Sequence, residues 1–129
     1  MADMLLDTTV FHDYRAGDEG ARAIFEQIVS GAVTASISSL TVFELWGYAG
    51  MDRRTEISYV GMLSFLEVAP LTAEAAKTAG LWVMSLQDER REGVARSALV
   101  AATAKERGEP ICTRDHDRYD RFYSELVRY

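Results

Sequence analysis

Apolar residues recur along the chain in two rhythms. Short runs of three to five alternate with longer stretches in which apolar side chains fall three and four apart. Met4, Leu5 and Leu6 form one short run, ending on Asp7, and predict a buried strand. Residues 18–30 place Ala21, Ile24, Phe25 and Ile28 on one face and reach Gly31, which predicts a helix stopped by glycine. Residues 33–37 predict a second strand. Ser38 or Ser39 then caps a helix running to about residue 51, and a further helix is expected over about 56–65. A strand is expected near 66–69. Pro70 and Thr72 mark a turn and the cap of the next helix, whose stripe is Ala75, Ala79, Trp82, Val83 and Leu86. The charged stretch 88–93 predicts a loop. The helix expected over 95–107 is apolar almost all round at 98–102, the mark of a central, buried helix. Gly108 stops it, residues 110–113 predict a strand, and 125–129 predict an edge strand after a loop rich in Asp and Arg.

Strands alternating with helices favour a parallel sheet covered on both faces, with ligands at the carboxyl ends of the strands. The chain of 129 residues is one domain's worth of sequence, with no repeat, linker or low-complexity run, so residues 1–129 read as a single domain. No stretch approaches the ~18 apolar residues of a membrane span, and the first apolar run is too short for a signal peptide. The single Cys112 has no internal partner, so a reducing, cytoplasmic setting is expected. The net charge of −6 argues against a nucleic-acid partner, but it is unevenly spread. Residues 1–65 hold 4 basic and 9 acidic side chains, while residues 66–129 hold 10 and 11. The late cluster, including Arg96, Arg114, Arg118 and Arg121, reads equally as a phosphate-binding surface or a solvated face of mixed ion pairs.

Asp7 and Asp115 each follow a predicted strand, which puts both at the carboxyl edge of the sheet. Asp117 follows two residues later. Glu44 shares a helix face with Leu40, Phe43 and Gly47 and points partly inward, where a carboxylate is costly unless paired or bound to a metal. Each has a plainer reading: Asp7 as a helix cap, Asp115 and Asp117 as turn residues, Glu44 as an arginine's partner. Together they can converge on one edge of one sheet. Clustered carboxylates repel, a cation relieves them, and oxygen-only donors favour Mg²⁺ or Mn²⁺. Such an ion suits hydrolysis of a phosphodiester. A receiver domain needs a phosphoacceptor Asp after a middle strand, and a haloacid-dehalogenase-type phosphatase needs an Asp at position 9, where Thr9 stands; neither pattern is present.

The segments Leu-Leu-Asp-Thr-Thr-Val at 5–10, Ser-Leu-Thr-Val-Phe-Glu-Leu at 39–45, Ala-Leu-Val-Ala-Ala-Thr-Ala at 98–104 and Thr-Arg-Asp-His-Asp-Arg-Tyr at 113–119, in this order, resemble PIN-domain proteins, and more narrowly VapC-type toxins of toxin–antitoxin pairs. The resemblance spans essentially the whole chain. It implies a PIN-like three-layer α/β sandwich, with a central parallel five-stranded sheet and helices on both faces. It also implies a Mg²⁺-dependent endoribonuclease, an RNA substrate, a cognate antitoxin and a homodimer. Carried over by position, Asp7, Glu44 and Asp115 match the family's acidic metal ligands and Asp117 its additional loop acid, with Thr8 and Thr113 beside them. One position departs: the family usually has Asp directly before the Ala-Leu-Val-Ala-Ala-Thr-Ala segment, and here Ser97 stands there. A neutral serine weakens a metal site. That leaves a protein that holds one ion on Asp7, Glu44, Asp115 and Asp117 through waters, one that takes metal only once RNA adds a phosphate oxygen, or a poor or inactive nuclease acting through its antitoxin. Glu92 and Asp88 are the nearby acids that could substitute.

Overall fold

The computed structural model describes residues 2–86 and 91–129, with side chains throughout except at Arg91 and Glu92. The first strand, β1 (Met4–Leu6), runs into α1 (Thr8–Ala16) and α2 (Glu19–Val29). β2 (Ala35–Ser38) is followed by α3 (Ser39–Trp46) and α4 (Arg53–Leu63), and β3 (Glu67–Ala69) by α5 (Ala73–Met84) and α6 (Arg91–Arg107). β4 (Ile111–Cys112), a 3₁₀ turn (His116–Arg118) and β5 (Leu126–Val127) complete the chain. The five strands lie in the order β3-β2-β1-β4-β5, every pairing parallel. The fold is therefore the three-layer α/β sandwich expected.

Alternation along the strands sorts the core into two faces. Met4 and Leu6 of β1, with Ile37 and Cys112, pack against Val10 and Phe11 of α1, Phe25 and Ile28 of α2, and Tyr59 and Met62 of α4. Leu5 and Ile111 point the other way, onto Val100, Ala101 and Ala104 of α6 and the buried ring of Tyr119. Helix α5 lies outside α6, joined through Ala75, Ala79, Ala98 and Ala102. The all-apolar stretch 98–102 is thus explained: α6 is sandwiched between the sheet and α5.

Successive strands step outward from β1 to β2 to β3, and the chain then returns to place β4 on the other side of β1. That reversal opens a crevice at the carboxyl ends of β1 and β4, where ligands of such sheets sit. Asp7 and Thr113 are the residues that leave these two strands.

Several boundaries moved, among them the ends of α4, expected over about 56–65, and of β5, expected over 125–129. Thr8–Ala16 is a helix, ended by Gly17 in the left-handed conformation at φ 87°; only the capping reading of Asp7 had allowed for one. Helix α3 stops at Trp46, five residues earlier than expected. Arg91–Gly93, expected in a loop, are the first residues of α6, and the remainder of that expected loop, 88–90, lies outside the described residues. Among the described residues no helix is long and apolar enough to cross a membrane.

Candidate active site

Asp7 immediately precedes α1 in extended conformation, yet its side chain makes no capping hydrogen bond. It turns instead into the crevice, where it is wholly buried. Thr113 Oγ1 donates to its Oδ2 at 2.8 Å and the Tyr119 hydroxyl to its Oδ1 at 2.6 Å. Thr8 and Thr9 stand beside it at 3.5 and 3.4 Å. Thr113 also accepts the Asp115 amide at 2.9 Å, so one hydroxyl ties the end of β1 to the loop after β4. Burial and the neighbouring Asp7 carboxylate push the Tyr119 hydroxyl far above its ordinary pKa, keeping it a donor.

The Arg118 guanidinium fills the space between the acids. Nη1 donates to Asp7 Oδ1 at 3.2 Å and lies 3.4 Å from Thr8 Oγ1. Nη2 donates to Glu44 Oε2 at 2.9 Å and Nε to Ser97 Oγ at 2.9 Å. Burial disfavours the charge, but Tyr119, Asp7 and Glu44 outweigh it and hold the guanidinium pKa above its ordinary value. Removing one member of a buried pair like Asp7 and Arg118 costs about 3–5 kcal/mol, because the other is left uncompensated.

The structure thus brings Asp7, Thr8, Glu44, Ser97 and Thr113 into one contact network around Arg118. Asp115 and Asp117 are exposed and line an open depression of about 340 Å³ on the same edge, together with Gly93, Ser97, Arg118 and Arg121. Arg114, elsewhere in the late basic cluster, pairs with Asp13 of α1 at 3.0 Å, and Arg96 lies over the ring of exposed Phe43, 5.3 Å from its centroid. Asp88 and the side chain of Glu92 lie outside the described residues.

As they stand, these side chains do not fit a divalent ion. Among the described residues no group of three or more His, Cys, Asp or Glu side chains is placed to hold a metal. Position 97 is neutral, and a monovalent organic cation already lies between Asp7 and Glu44. One atom points the other way: Glu44 Oε1 is buried with no hydrogen-bond partner, so the cradle retains unspent acceptor capacity.

Arg118 and Tyr119 were not picked out as site residues from the sequence. The available signal for Arg118 was indirect: a neutral residue at 97 where the resemblance expects an acid, with an arginine in the acidic loop at 113–119 able to balance the acids that remain.

Residues 4–124 match the PIN domain family across nearly the whole length of the chain. The chain belongs to the PIN domain family. Among solved structures, this PIN domain resembles a chain of DNA-bound VapBC from Salmonella typhimurium, at 22% identity, 99% of this chain and 98% of that chain covered, and a TM-score of 0.74. It also resembles a chain of a toxin–antitoxin complex from Klebsiella pneumoniae, at 17% identity, 96% and 95% coverage and a TM-score of 0.72. A third similar chain comes from VapBC2 of Rickettsia felis bound to a promoter DNA fragment, at 16% identity, 98% coverage of both chains and a TM-score of 0.71. At these identities the likeness is one of fold. No curated protein matches the sequence.

Proposed function

We propose that this PIN domain is the toxin of a toxin–antitoxin pair, an RNA-directed ribonuclease whose own hydrolytic site is held weak. Family membership supports the general activity, and structural neighbours solved in antitoxin complexes support the partner. The single observation that carries the weakened site is Arg118, seated among Asp7, Glu44 and Ser97.

RNA fits the edge chemically. Asp115 and Asp117 line an open depression with Gly93, Ser97, Arg118 and Arg121, an accessible edge of mixed charge at which an RNA backbone can lie beside the acids. RNA is recognised largely through shape and exposed single strands, which makes structured RNAs with open loops the substrates to offer it. The Mg²⁺- or Mn²⁺-dependent hydrolysis implied by the resemblance belongs to the opened site, not to the arrangement described above. The antitoxin and a second copy of the chain are the proposed protein partners, with apolar side chains such as Phe43, Tyr48, Ile57 and Val60 exposed for such contacts.

The test is cleavage of a pool of structured RNAs by the purified chain with Mg²⁺, with Mn²⁺ and with EDTA, beside Asp7→Asn and Ser97→Asp. Cleavage by the parent close to its level in EDTA is expected, with metal-dependent cleavage about tenfold or more above it in Ser97→Asp and none in Asp7→Asn, one added metal-site group being worth that much. Vigorous cleavage by the parent, unchanged in Ser97→Asp, would remove the weakened site from the proposal. Absence of cleavage from every variant would remove the nuclease.

A further inference from the structure

The guanidinium of Arg118 meets four separate side chains with its three nitrogens, each contact between 2.9 and 3.4 Å. Two of these are the carboxylates of Asp7, at the end of β1, and Glu44, within α3, the first wholly buried and the second 13% exposed. A third is Ser97 Oγ, which accepts from Nε. An aspartate at 97 would add a third negative charge here; serine adds an acceptor and no charge. With Ser97, two carboxylates face one guanidinium, and a divalent ion entering beside Arg118 would put three positive charges against two negative ones. The unspent Glu44 Oε1 does not change that balance, since it belongs to a carboxylate already counted.

We infer that Arg118 is a built-in cation that takes the place of a divalent metal in this chain, with Ser97 as the neutral acceptor that lets it settle, so that the two positions form one coupled exchange. The inference deepens the proposed function and rests on its assignment of the Asp7–Glu44 edge as the site. It accounts for how a PIN domain keeps a wholly buried Asp7 charge-compensated without an ion. Positions 97 and 118 therefore set one charge balance in this chain: an acid at 97 returns the cradle to divalent cations, and loss of the arginine leaves two carboxylates in need of one.

The experiment is Mn²⁺ titration of the intact chain, read by the electron paramagnetic resonance of free Mn²⁺ and by thermal unfolding with and without the ion, with no RNA present. The parent should show no saturable Mn²⁺ site at millimolar concentration and no shift in its melting temperature. Arg118→Gln should gain one saturable site, at least about tenfold tighter than any binding by the parent, and lose it again in Arg118→Gln/Asp7→Asn. Ser97→Asp, which keeps the arginine, should show intermediate affinity and decides the matter should Arg118→Gln fail to fold. A saturable site in the parent that Asp7→Asn abolishes would overturn the inference, as would folded Arg118→Gln or Ser97→Asp that takes no Mn²⁺. Because no RNA enters, a gained Mn²⁺ site without cleavage of RNA by any variant would leave this exchange standing and remove the ribonuclease reading alone.

Discussion

Glu109, at the amino end of β4, is a buried carboxylate with a purely structural role. It accepts from Ser36 Oγ at 2.5 Å, the Ala2 amide at 2.8 Å and Arg107 Nε at 3.0 Å, while Arg107 also pairs with Glu67 of β3. Burial alone would raise its pKa, but the bonds from Arg107, Ser36 and Ala2 win and hold it below the usual carboxylate range. A depressed folded-state pKa contributes stability that is present above the unfolded value and is lost as pH falls through the folded one. Glu109→Gln is therefore expected to lower the unfolding free energy by about 1–3 kcal/mol at neutral pH. In urea titrations across pH, the gap between parent and variant should close below about pH 4; a gap that stays constant to pH 3 would refute the charge-based account. The contrast with Asp7 shows what sequence can and cannot reveal at this scale. Asp7 was legible because an acid directly after an apolar strand, at a carboxyl edge, is out of place. Glu109 follows a helix-stopping glycine and looks like a turn residue, and Arg118 looks like one more loop arginine. Apart from Arg107, two residues from Glu109, the partners that set these roles stand 21 to 111 residues away, which no local pattern encodes.

The elements themselves were largely legible, because core-facing periodicity is a local property. The stripe on α2, the cap at Thr72 and the buried strand β1 all survive in the structure. Helix α1 was not foreseen, since Thr-Thr-Val-Phe-His-Asp-Tyr-Arg-Ala begins with two β-branched threonines and a valine and presents only Val10 and Phe11 as a buried pair. What holds it is tertiary: Phe11 stands edge-on to Tyr59, and buried Asp13 accepts from the Tyr129 hydroxyl at 2.5 Å. The α5–α6 contact makes the opposite point. Its seam is alanine on both sides, Ala75 and Ala79 against Ala98 and Ala102, all essentially buried. Small side chains let two helices approach closely, and a methyl-rich seam leaves no room for a larger residue. Ala98→Leu should therefore destabilise by about 1–3 kcal/mol through overpacking, lowering the urea midpoint with little change in slope. Ala76→Leu, at an exposed position of the same helix pair, should be close to neutral and controls for altered helix propensity. Equal effects at the two positions would show that the seam is not tight.

For the whole molecule, Cys112 supplies an internal probe. It lies on β4, second from the sheet's edge, between β1 and β5, with no exposed surface, and packs with Leu6, Ile37 and the helices of the α1 face. Burial, with some help from the Asp7 carboxylate, pushes its thiol pKa up to about 12, so the reactive thiolate is suppressed as well as hidden. Both barriers fall together only when the sheet opens. An aromatic disulfide reagent at pH 8 should thus label the native chain slowly, at a rate whose denaturant dependence matches that of global unfolding, and label the unfolded chain at once. Rapid labelling under native conditions would mean that β4 and β5 detach locally, taking with them the Thr113–Asp7 bond and the loop that carries Arg118. The same probe then separates two effects of altering Arg118. If the guanidinium only balances charge in the crevice, Arg118→Gln should speed labelling no more than its loss of global stability requires. If it also fastens the loop after β4 to the rest of the sheet, labelling should accelerate beyond that, with a shallower dependence on denaturant. The first result is expected, because Thr113, Tyr119 and the β4–β5 ladder still tie this edge together through Asp7, Tyr123 and Val127 when the arginine is gone.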